Sequence, residues 1–194
     1  MMKVPSSVKC AGVRLALKVR NNDIAFLADA MLGSLARKLR IFGFDTLYIA
    51  HVHDDQILKL GIEQGRIILT ADRELFKRIV KAKAKGVLVS SADDLEDLAH
   101  ILAKNGITSV DVHNIGSRCS MCNGILACKR SEQVKDSVPD KVAKCHSKFY
   151  QCMECDKVYW EGGHFQRIKA LAKSLDLKLA KCTIATSYQK VKIT

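Results

Sequence analysis

Arg66-Ile-Ile-Leu-Thr-Ala-Asp-Arg-Glu-Leu75 holds the pattern on which the fold turns. The run Arg66–Thr70 is short, apolar and bounded by polar residues, as buried strands are. Asp72 follows it at once. Leu75, Phe76, Ile79 and Val80 then recur at helical spacing and mark one apolar face. Strand, acid and amphipathic helix therefore succeed one another in a single short unit.

The same unit recurs on both sides. Ile24–Ala28, Thr46–Ala50 and Gly86–Ser90 are further apolar runs of strand length. Leu32, Leu35, Ala36 and Leu39 mark a helix face that Gly43 suits to end. Asp54 to Gln64 reads as a helix carrying Ile57, Leu58 and Ile62. Leu95, Leu98, Ala99 and Leu102 mark another, with Ser91 as N-cap, acids in the first turn and Gly106 beyond its end. Strand–helix alternation four times over predicts a parallel α/β sandwich ending near Ile107. The first strand leads into Leu27-Ala-Asp-Ala30, with no glycine-rich phosphate loop, which argues against a dinucleotide-binding fold.

The acids occupy equivalent places in this repeat. Asp29 follows the first strand, Asp54 and Asp55 the second, and Asp72 the third, with Glu74 two residues on. The carboxyl ends of parallel strands share one edge, so these side chains are expected to converge there. Converging carboxylates repel one another unless a cation compensates. Mg²⁺ and Mn²⁺ prefer such oxygen ligands, and a carboxylate-held metal pair activates water and stabilises the leaving oxygen of a phosphodiester. Asp is equally a favoured helix N-cap, so capping alone is the competing reading. Arg37, Lys38 and Arg40 read either as a solvated helix face or as phosphate contacts. Arg73 reads as a substrate contact or an internal ion-pair partner.

A second pattern begins near residue 111. Cys119-x-x-Cys122 and Cys152-x-x-Cys155 match a structural four-cysteine zinc site, with four thiolates leaving no open position for catalysis. The pairs lie 29 residues apart, so an insertion over Ala127–Lys148 is expected. Cys128, Cys145, Cys10 and Cys182 read as free thiols, Cys128 and Cys145 alternatively as a disulfide, and His146 as a substitute ligand. Val158-Tyr-Trp-Glu-Gly-Gly-His164 follows. Tyr159 and Trp160 either pack the module on its neighbour or stack on bases, and His164 is a candidate phosphate contact.

The chain has 194 residues and a formal net charge of +12. Its two ends, 1–23 and 165–194, hold +10 of that charge. A polyanion such as RNA is the partner such ends suit, and solvated tails are the alternative. With 2 prolines and 11 glycines the chain is neither collagen-like nor disordered. No apolar run approaches the roughly 18 residues of a membrane span. Met1–Asn22 is basic and lacks a sustained apolar stretch, so it reads as a simple extension, with an organelle transit peptide as the other reading.

Three segments together resemble a known family. Phe26-Leu-Ala-Asp-Ala-Met-Leu-Gly-Ser-Leu-Ala-Arg-Lys-Leu-Arg40, Gly43-Phe-Asp-Thr46 and Arg66–Leu75 look like the PIN-like RNase domain first named from the C-terminus of the Mut-seven exonucleases. Arg118-Cys-Ser-Met-Cys-Asn-Gly124, Cys152-Met-Glu-Cys155 and Tyr159-Trp-Glu-Gly-Gly-His164 look like that family's appended zinc ribbon. The resemblance spans about residues 24–168. It implies a PIN-like three-layer α/β/α sandwich with a parallel sheet, followed by a small zinc ribbon. It also implies a metal-dependent ribonuclease, here expected to be an endonuclease, with Asp29, Asp54 and Asp72 on Mg²⁺ or Mn²⁺. Asp55 and Glu74 are additional acids, and the four cysteines hold zinc. The acid that many PIN nucleases carry on an earlier helix has no counterpart in Leu32–Phe42, which implies either weaker metal binding or a later residue in its place.

The expected organisation is a basic extension over 1–23, the nuclease unit over 24–110, the ribbon over 111–164, and a basic helix and tail over 165–194. RNA is the expected partner, with ribosome or tRNA association, no membrane contact and a cytoplasmic location. Two other readings stand beside the nuclease: a non-catalytic RNA-binding module in rRNA or tRNA processing, and a toxin-type PIN ribonuclease.

Overall fold

Four strands, β1 (Ala25–Ala28), β2 (Asp45–Tyr48), β3 (Ile67–Thr70) and β4 (Gly86–Leu88), pair in parallel in the order β2-β1-β3-β4. The structure is a computed structural model, and it describes residues 24–89, 93–111 and 115–191, with side chains as far as Cys182. The basic extension, Cys10 and the expected cap Ser91 lie outside those residues. Asp93 caps the helix assigned to Ser91, its carboxylate accepting from the Leu95 amide at 2.8 Å.

The strands are apolar on both faces because helices cover both. On one side α1 (Gly33–Ile41) and α4 (Asp94–Lys104) pack Leu35, Leu39, Leu98 and Leu102 against Phe26, Leu69 and Val87. On the other, α2 (Asp54–Glu63) and α3 (Arg73–Lys81) pack Ile57, Leu75 and Ile79 against Leu27 and Ile68. Each such side chain stabilises the fold by about 1.5–3 kcal/mol on burial. α2 approaches the sheet closely at Gly61, where a Cβ would stand 2.5 Å from the Ile68 side chain. The expected α/β alternation is thus a four-stranded parallel sheet with helices on both faces.

Three antiparallel strands follow, β5 (Leu126–Arg130), β6 (Lys148–Cys152) and β7 (Val158–Trp160), in that order. The expected insertion is the connection between β5 and β6. It holds two short helices, α5 (Ser131–Val134) and α6 (Asp140–Cys145). The long α7 (Gly163–Val191) leaves this sheet and returns along α4. Its Ala172, Leu175 and Leu179 enter the main core. Lys178 reaches Glu96 in the first turn of α4, so α7 runs towards the carboxyl edge of the parallel sheet. No helix among the described residues is long and apolar enough to cross a membrane.

Candidate active site and metal centre

Asp29 ends β1 at the carboxyl edge and is 5% exposed. Its Oδ1 accepts from the Met31 amide at 3.0 Å, capping the single 3-10 turn Ala30–Leu32. Its Oδ2 accepts from the Thr70 hydroxyl, and Thr70 in turn accepts from the Asp72 amide at 2.9 Å. Thr70, fully buried at the end of β3, therefore joins the two acids that follow neighbouring strands. Asp72 caps α3, its Oδ1 accepting from the amides of Glu74 at 2.6 Å and Leu75 at 3.2 Å. Capping and convergence coexist here, since a cap uses one carboxylate oxygen.

The remaining expected acids are engaged elsewhere. Arg78 of α3 pairs with Asp55 and, at 3.4 Å, with Asp54. Glu74 pairs with Lys77 at 2.7 Å on the exposed side of α3. Among the described residues, no three carboxylates come close enough together to share one ion. At the same edge opens a cavity lined by Met31, Leu32, Ala71, Arg73 and two acids that sequence reading did not single out, Asp94 and Asp97. Asp97 is buried on α4. Its position one turn into a helix after the fourth strand was the available signal. Asp94 accepts from Ser34 at 2.8 Å and pairs with Lys38, whose ammonium holds the Asp94 carboxyl below the ordinary aspartate range.

The three basic residues of α1 separate. Arg37 is exposed, and Lys38 is bound to Asp94. Arg40 is 4% exposed, which removes it from any solvated face. Its Nε donates to the Thr46 carbonyl at 2.8 Å, and its Nη1 to the carbonyls of Met121 at 2.7 Å and Ser120 at 3.3 Å. Arg40 therefore fastens the first cysteine turn to β2. A groove lined by Gly33, Ser34, Arg37, Lys38, Tyr48 and Met121 joins that turn to the carboxyl edge.

The cysteine turns meet as expected. The Sγ atoms of Cys119, Cys122, Cys152 and Cys155 all lie within 4.8 Å of one another. Cys119 stands 3.6 Å from Cys155, and Cys122 3.4 Å from Cys152. A tetrahedral zinc with Zn–S bonds of about 2.3 Å needs sulfurs about 3.8 Å apart, so the donor set fits that ion. The Gly124 and Glu154 amides each donate to a thiol at 3.4 Å. Asn123 takes a positive φ of 76° to make the turn, and a Cβ on Gly124 would stand 2.8 Å from Cys152 Sγ. Burial pushes the Cys119 thiol up. Hydrogen bonds with the Tyr159 hydroxyl, 3.1 Å away, and with backbone groups of Cys122 and Met121 outweigh it and bring it down to about 6. Burial and the neighbouring thiols push Cys122 up to about 12. One thiolate stabilised among thiols is the expected state of such a cluster before an ion displaces its protons. Tyr159, read from sequence as packing or stacking, instead supports a sulfur.

Asp45 at the start of β2 anchors the same junction. It accepts from Arg66 at 2.8 Å and from the Asn123 side chain at 2.9 Å, and lies 3.6 Å from Arg118. Asn123 also accepts from the Thr46 amide at 3.0 Å. The cysteine module thus docks at the amino edge of the parallel sheet, opposite the acids. Trp160 and His164 line a separate cavity between this module and α7.

The model of the Mut7-C RNAse domain matches residues 24–172. The chain belongs to the Mut7-C RNase domain family. Membership carries a ribonuclease-type function and RNA as the substrate class. No curated protein and no solved structure matches the chain.

Proposed function

We propose that this Mut7-C chain is a metal-dependent endoribonuclease of PIN-like architecture whose cleavage centre is the carboxyl edge around Asp29 and Asp72. The observation that carries this reading is the Asp29–Thr70–Asp72 linkage, which gathers two acids from neighbouring strands on one buried hydroxyl. Their donors are hard oxygens, the kind Mg²⁺ and Mn²⁺ take. Asp29 and Asp72 would hold the ion, with Asp54 as the third ligand and Asp97 the further acid nearby. Asp54 reaches that role by exchanging its contact with Arg78, half-exposed and 3.4 Å away. When bound, the ion neutralises charge at the phosphodiester and activates water.

The chain's own residues do the positioning. Thr70 holds Asp29 in one rotamer, and the α3 amides hold Asp72 in another. Arg37, in the groove along α1, meets phosphates approaching the edge, and Arg73 stands on its other side. Such a site works mainly by preorganised charge and orientation. The cysteine module is structural and holds one zinc. A non-catalytic RNA-binding role would leave the buried pairing of Asp29 with Thr70 without purpose beyond capping. RNA cleavage with Mn²⁺ or Mg²⁺, comparing wild type with Asp72→Asn, tests the proposal.

A further inference from the structure

The cavity between the metal module and α7 is unused by this chemistry. It holds about 100 Å³ and is walled by Tyr150, Tyr159, Trp160 and Phe165, with Leu126 beside them. Arg118, Ser120, Glu161 and His164 supply its polar groups. A dry apolar cavity of about 150 Å³ takes benzene whole, so this smaller one has room for the edge of a six-membered ring. Rings with hydrogen-bonding groups at their edges are the surroundings an unstacked nucleobase takes.

Cations surround the rings. The Lys148 ammonium lies 5.3 Å from the centroid of Tyr150, and the Lys169 ammonium 4.7 Å from that of Phe165, where it also pairs with Glu161 at 3.8 Å. Arg130 stands directly opposite Lys148 in the β5–β6 ladder. Like charges so placed destabilise a sheet. Both are exposed, and among the described residues neither pairs with an acid. A phosphodiester chain relieves that repulsion while its bases meet the rings.

We infer that this face is a platform for single-stranded RNA: the edge of one pyrimidine base enters the cavity among Tyr150, Trp160 and Phe165, and flanking phosphates meet Arg130 and Lys148. The inference rests on the ribonuclease reading and deepens it, because the platform lies at the amino edge and the acids at the carboxyl edge. Four-residue strands separate those edges by about 13 Å. The groove past Arg37 runs from Met121 of the first cysteine turn to Gly33 and Tyr48 at the carboxyl edge. Base selection would therefore act at a fixed distance from the cut, and on single strands, since duplex bases are not free to enter.

Trp160 is the chain's single tryptophan, so its emission reports the cavity. The full zinc-loaded chain is titrated with oligouridylate, and with an RNA hairpin of equal length, without added Mg²⁺ or Mn²⁺. The single strand should quench emission saturably, and the hairpin much less. Leu126→Phe, which fills the cavity, should weaken single-strand binding about tenfold, the loss of one stacked base. Lys148→Glu, an exposed change, should flatten the salt slope by about 0.7, the share of one phosphate contact. Unquenched emission on the single strand, wild-type affinity in zinc-loaded Leu126→Phe, or an unaltered slope in Lys148→Glu would each overturn the platform. Cleavage of the same oligonucleotides with Mn²⁺ is scored separately. Quenching without cleavage retains the platform and removes the nuclease reading, and cleavage without quenching does the reverse.

Discussion

Thr70 is the residue on which the acidic edge depends most. Its buried hydroxyl donates to the buried Asp29 carboxylate and accepts from the amide of Asp72, an exposed residue. Thr70→Val keeps the shape and deletes the hydroxyl, leaving the buried Asp29 carboxylate and the part-buried Asp72 amide each short of a partner. The expected cost is about 1–3 kcal/mol of stability, read as a lowered denaturant midpoint. RNA cleavage should fall with it, and Thr70→Ser should recover both. A Thr70→Val protein as stable and active as wild type would show that the linkage organises nothing. Arg40 makes a parallel case in the other half. Arg40→Met should cost about 1–3 kcal/mol, because the carbonyls of Thr46, Ser120 and Met121 lose their donor. Hydrogen exchange of residues 117–126 should rise in that variant while β1 and β3 stay protected. Sequence spacing grouped Arg40 with Arg37 and Lys38. Nothing local distinguishes a helix-terminal arginine that faces solvent from one that faces a docking module.

At the scale of elements, the four parallel strands, the five longer helices and the two cysteine turns were legible because each is a local pattern. Period, apolar length, caps and paired C-x-x-C spacing are all written within a few residues. What was not legible depends on pairs far apart in sequence. Asp45 binding Arg66, Arg118 and Asn123, Tyr159 supporting Cys119, and Asp97 lining the cavity at the same edge as Asp29 are contacts between elements. The Asp54–Arg78 pairing is another, and it engages one expected ligand. Two predictions belong here. Chelation, or Cys152→Ser, should unfold 117–164 and spare much of the parallel sheet, because structural zinc contributes folding free energy directly. Elemental analysis should find one zinc per chain, and a folded zinc-free protein would contradict it. The Asp45 junction should be sensitive to acid. Burial alone would push the Asp45 carboxyl up, but hydrogen bonds from Arg66 and Asn123 and the charges of Arg66 and Arg118 hold it below the ordinary value. Its stabilising share is therefore complete above an unfolded pKa near about 4 and lost as pH falls through the lower native value. Exchange at residues 118–124 should rise below that range, and the rise should be absent in Asp45→Asn.

On the scale of the whole molecule, the acidic edge and the metal module occupy opposite ends of the parallel sheet, and α7 connects them. The helix begins beside the cavity at Gly163, pairs Lys178 with Glu96 near the acids, and continues to Val191. Lys181, Lys190 and Lys192 are three of the seven basic residues over 165–194. Deleting residues 181–194 should weaken RNA binding and flatten the salt slope by up to about two units. Turnover at saturating RNA should change little, because such contacts bind ground and transition states alike. An unaltered slope would mean the tail does not touch RNA. The cleavage chemistry itself is tested most directly by single-turnover hydrolysis of a labelled single-stranded RNA with Mn²⁺, comparing wild type with Asp29→Asn and Asp72→Asn at matched zinc content and matched thermal melts. Wild type should cut internally, and both variants should be slower by orders of magnitude. Variants that cut at the wild-type rate would contradict a cleavage centre at the Asp29–Thr70–Asp72 edge.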